Sequence, residues 1–100
     1  MTINKVAQAI INLIVARGWE LVRLEASVAQ IPMLTIIAFI KDNNEITVEV
    51  NEYAQGRHML TILLGYMDDV YLERQHVGDV KGSIKDIDFM VSKVEALLGL

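Results

Sequence analysis

One hundred residues, 53% of them hydrophobic and 22% charged, suffice for one small core, and so apolar a chain is excluded from the disordered class. A net charge of -4 with no two basic residues adjacent argues against a general binder of nucleic acid or anionic membrane. The absence of cysteine excludes disulfides, thiolate metal sites and cysteine nucleophiles, and fits a cytoplasmic protein.

Thr2 is read as the N-cap of a helix running through Arg17, with Gly18 as its stop. Ile3, Val6, Ala7, Ile10, Leu13 and Ile14 form its apolar stripe. Ile11 and Val15 widen that stripe past half the circumference, so the helix is expected to be covered on more than one side. The stretch Val6 to Ala16 lacks the flanks of a secretory signal. The run Ile31 to Ile40 is about half of a membrane span, so no membrane partner is expected.

Three strands follow. The first covers Trp19 to Ala29, and a turn through Gln30 and Pro32 leads into Met33 to Ile40, which is apolar on both faces and is assigned to the middle of the sheet. In Glu45 to Val50 the apolar residues Ile46, Val48 and Val50 alternate with polar ones, which predicts one buried and one wet face. Trp19 is an anchor at the core edge or, if exposed, a partner contact.

Residues Met59 to Tyr66 and Val70 to Val77 read as a second hairpin turning at Met67 to Asp69. Helical spacing of Leu60, Leu63, Leu64 and Met67 is the alternative, opposed by Gly65. Gly78 to Gly82 is expected to be a loop. Ser83 with Asp86 then opens a helix whose stripe is Ile84, Ile87, Val91, Val94 and Leu98, ending at Gly99. The fold class is therefore α+β: an N-terminal helix, an antiparallel meander of about five strands, and a C-terminal helix packed on one face.

Chemistry-bearing constellations are sparse. Tyr66-Met67-Asp68-Asp69-Val70-Tyr71 resembles the catalytic hairpin of reverse transcriptases, which implies magnesium held by paired aspartates. Two-metal chemistry needs a further carboxylate nearby, and the strands offer only Glu25 and Glu49. From Ile3 to Glu52, a helix, a glycine, a strand, a proline before an apolar strand and a strand ending Glu49-Val50-Asn51 resemble the opening of PD-(D/E)XK nucleases. That family implies an Asp near the proline and a terminal Lys; Met33 and Asn51 stand there, and Glu49 alone matches. His58 and His76 could join Asp69 or Glu73 around a metal, but they lack local ligand spacing and read as surface imidazoles. Arg57-His58 beside Gly56 could grip an anion.

The order of elements is similar to the small dimeric type III secretion chaperones, an architectural resemblance that implies effector segments wrapped along apolar surface. The expected function is a small non-catalytic interaction module, a homodimeric adaptor, chaperone-like or regulatory protein, with an unidentified protein partner, no cofactor and no catalytic residue. Its interface is assigned to Ile11, Val15 and Trp19. The alternative is a nuclease-like or metal-binding protein using Glu49, Asp68 and Asp69.

Overall fold

The computed structural model describes residues 3–27, 32–68 and 72–100. Helix α1 (Lys5–Ala16) is capped by Asn4, whose side chain accepts the Ala7 N–H; Thr2, the cap expected from sequence, lies outside the described residues. The chain leaves α1 through Gly18 at φ +89°, a left-handed conformation that glycine adopts at no steric cost. Strands β1 (Glu20–Ser27), β2 (Met33–Lys41), β3 (Asn44–Glu52), β4 (Arg57–Met67) and β5 (Leu72–Ser83) follow, then helix α2 (Ile87–Leu98). The expected α+β meander is what the chain forms, with all neighbours antiparallel and in the order β1-β2-β3-β4-β5.

The second hairpin is confirmed over the helical alternative. The β2–β3 connection is a two-residue turn, because Lys41 already pairs with Asn44 across Asp42–Asn43. The segment Gly78 to Gly82 is not a loop but the continuation of β5. Its glycines are there for the helix above them: a Cβ at Gly82 would lie 2.8 Å from Met90 Cγ, and one at Gly78 would lie 3.1 Å from Leu97 Cδ2. They let α2 approach the strand closely.

Both helices lie on one face of the sheet, α1 against β1 and β2, α2 against β5, and each against the other. Alternation sends Ile37 and Phe39 of β2, Ile46, Val48 and Val50 of β3, Leu60 and Ile62 of β4 and Val80 of β5 toward them. There they meet Val6, Ala7, Ile10 and Ile14 of α1 and Met90 and Val94 of α2, all fully buried. The second strand, assigned to the middle of the sheet, lies between β1 and β3, and the helices cover its Ile37–Phe39 face. No helix among the described residues is long and apolar enough to cross a membrane.

Candidate interaction surface

Among the described residues, no second layer covers the sheet face opposite the helices. Register places Leu34, Asn51, Met59 and Lys81 in one row across β2 to β5, and Ile36, Glu49, Thr61 and Asp79 in the next. Ala38, Thr47, Leu63 and His76 form a third row, and Ile40, Glu45, Gly65 and Arg74 a fourth. Leu34, Ile36, Ala38 and Ile40 are therefore one continuous apolar strip along β2, flanked across β3 by Met59 and Leu63 on β4. Most of these side chains are only partly covered. They are the second apolar face on which β2 is assigned to the middle of the sheet.

Charged residues bound the strip. Glu45, 8% exposed, receives Arg74 Nε on Oε1 at 2.6 Å and Nη2 on Oε2 at 3.3 Å, while Thr47 Oγ1 donates to Oε1 at 2.9 Å. Gly65 stands between these partners, pairing with Glu45 on one side and Arg74 on the other, so the bridge crosses a position without a side chain. The Arg74 hydrogen bond holds the Glu45 carboxyl below its ordinary value, against a burial that pushes it up. At the β5 edge His76 Nε2 lies 2.9 Å from Asp79 Oδ1, and this contact lowers the Asp79 carboxyl.

At the far end of the strip a cleft of about 600 Å³ is lined by Tyr53, Arg57, Met59 and Lys81 together with His58 and Gly82. Met59 pairs with Lys81 and Arg57 with Ser83, so Arg57 and Lys81 are diagonal neighbours on the open face. Among the described residues neither cation lies within ion-pair distance of a carboxylate. Two adjacent like charges repel one another, and an anion placed between them relieves that repulsion.

His58 belongs to the other face. It is 3% exposed, not the surface imidazole expected from sequence, and it sits with Glu52 beneath the start of α1. Its Nδ1 donates to the Gly56 carbonyl at 2.8 Å, which leaves Nε2 to accept from Asn4 Nδ2 at 3.2 Å. The second Asn4 N–H goes to Glu52 Oε2 at 2.8 Å. His76, by contrast, is exposed on the opposite face, so strand alternation separates the two imidazoles.

The residues assigned to an interface divide by burial. Ile11, 8% exposed, is part of the chain's own core; Val15, 45% exposed, is open to solvent; Trp19 is half-buried against the core. For the metal alternative, Glu49 lies mid-strand on the open face opposite Thr61. Asp68 follows the end of β4, seven residues beyond Thr61, a rise of about 23 Å in extended chain. Asp69 lies outside the described residues. Among those described, no group of three or more His, Asp or Glu is placed to hold a metal ion. The Arg57–Lys81 pair escaped the sequence reading because its cations are 24 positions apart. The usable signal was a basic residue at the same face position in each arm of the second hairpin.

Comparison with known protein families, with curated proteins and with solved structures returns no match.

Proposed function

We propose that this chain is a non-catalytic protein-interaction module, an adaptor or chaperone-like homodimer, with the cytoplasm as its setting. Its open sheet face receives an extended apolar segment of another protein, and the Arg57–Lys81 pair takes an acidic residue of that segment. The observation that carries this reading is the strip Leu34, Ile36, Ala38, Ile40, Met59 and Leu63, left without a covering layer and bounded by charged side chains. An apolar centre with a polar rim is the anatomy of a protein-binding surface.

The test is a tagged pull-down from host lysate, with and without nuclease, comparing the wild-type chain with an Ile36→Asp/Leu63→Asp variant. A stoichiometric protein that survives nuclease and is lost from the variant supports the proposal. Recovery of nucleic acid in place of protein overturns it in favour of the nuclease-like alternative.

A further inference from the structure

We propose that two copies of this chain join through the outer edges of β1, in antiparallel register centred on Leu24, to make one continuous ten-stranded sheet. The inference rests on the homodimer reading above and adds the surface, the register and the residues that specify it.

β1 and β5 are the two edges of the sheet, and they are finished differently. The outer strand β5 carries Glu73, Arg74, Gln75, His76, Asp79 and Lys81, and α2 packs on it. Charges and a covering helix are the usual protection of an edge. β1 is eight residues long, carries Glu20, Arg23 and Glu25 and an irregularity between Leu21 and Arg23, and yet exposes two large apolar side chains, Val22 and Leu24, each at 47%. Leu24 pairs with the core residue Ile37 and so faces the helix side, beyond the cover that α1 provides. A long edge bearing exposed apolar residues is a template for another strand.

The charges on β1 select the second copy and its register. Arg23 and Glu25 pair with Ala38 and Ile36, so both project from the open face, joined by a 2.7 Å ion pair along the strand. A two-fold axis perpendicular to the sheet keeps each face on its own side, so only side chains of the same face can stand opposite one another. A register centred on Arg23 sets Arg23 against its own copy, and one centred on Glu25 sets Glu25 against its own copy. Both oppose like charges. The register centred on Leu24 sets Arg23 opposite Glu25 of the second copy, and by symmetry does so twice. On the helix side it joins Leu24 to Leu24, and Val22 lies in the irregularity of β1 between Leu21 and Arg23, where the regular register of Arg23 to Ser27 ends. Val15 of α1 is exposed on the same side of the sheet. The arrangement leaves the open face uncovered and doubles its width.

The test uses sedimentation equilibrium on the purified full chain and its Arg23→Glu, Glu25→Arg and doubly reversed forms, with circular dichroism to verify folding. Each single reversal should raise the dimer dissociation constant by at least about tenfold, as two cross-strand attractions become repulsions. The double reversal should restore dimerisation. An equimolar mixture of the two single variants should form the heterodimer, which separates cross-copy pairing from loss of the 2.7 Å pair within each strand. A wild-type dimer insensitive to reversal, or a mixture that fails to associate, overturns the register while leaving the homodimer reading standing. A wild-type chain that is monomeric throughout the micromolar range overturns both.

Discussion

Asn4 joins three parts of the molecule: its side chain accepts the Ala7 N–H of its own helix and donates to Glu52 on β3 and His58 on β4. Asn4→Ala should lose about 1–3 kcal/mol in urea unfolding, since it removes a cap and leaves two acceptors, buried His58 and half-buried Glu52, short of a donor. Asn4→Asp should keep the cap yet remain less stable than wild type, because a carboxylate has no N–H to offer Glu52. Thr2 and Asn4 are both capping residue types, two positions apart, and local sequence has no means to choose between them. What distinguishes Asn4 is an amide reaching a residue 48 positions away. Glu45 makes a second prediction at this scale. Its carboxyl is held below the ordinary 4.5 by Arg74, so the folded state binds its proton less readily than the unfolded chain. The stabilisation is complete above about pH 4.5 and is lost as pH falls through the lower folded value. Urea midpoints followed from neutral to acid pH should therefore fall more steeply for wild type than for Glu45→Gln.

Glycine in β5 illustrates how an element is misread. Gly78 and Gly82 bracket five residues that look like a loop, but their role depends on a helix that the local pattern does not reveal. The two positions should respond differently to alanine. At Gly82 the new Cβ meets fully buried Met90, and overpacking should destabilise by about 1–3 kcal/mol. At Gly78 it meets Leu97, a partly exposed side chain that can turn aside, so thermal melting should detect little change or a slight gain. Helix α1 offers a parallel contrast. Ile11→Asp puts a charge into the core and should unfold the chain by circular dichroism, whereas Val15→Asp should leave it folded. Both residues lie on the widened stripe read from sequence. The periodicity marks a helix with several covered flanks, but not which flank the chain's own second helix will cover.

The whole chain measures 42 × 28 × 22 Å, and its thin dimension has room for one sheet and one layer of helices. The meander was legible because each strand pairs with its sequence neighbour, so turn residues and alternation suffice to order it. The empty face was not legible. A strand that is apolar on both sides reads as interior to the sheet, and only the topology shows that both helices share one face of it. The two helices have a further consequence for how this fold is made. Synthesis delivers α1 first and α2 only after all five strands, yet the core needs both, because they pack on one another across the same sheet face. Emerging strands can pair as hairpins on the way out of the ribosome. The apolar side of α1 nevertheless has its full cover only once Met90 and Val94 arrive, so a nascent chain stalled within β5 presents an open core to whatever is nearby.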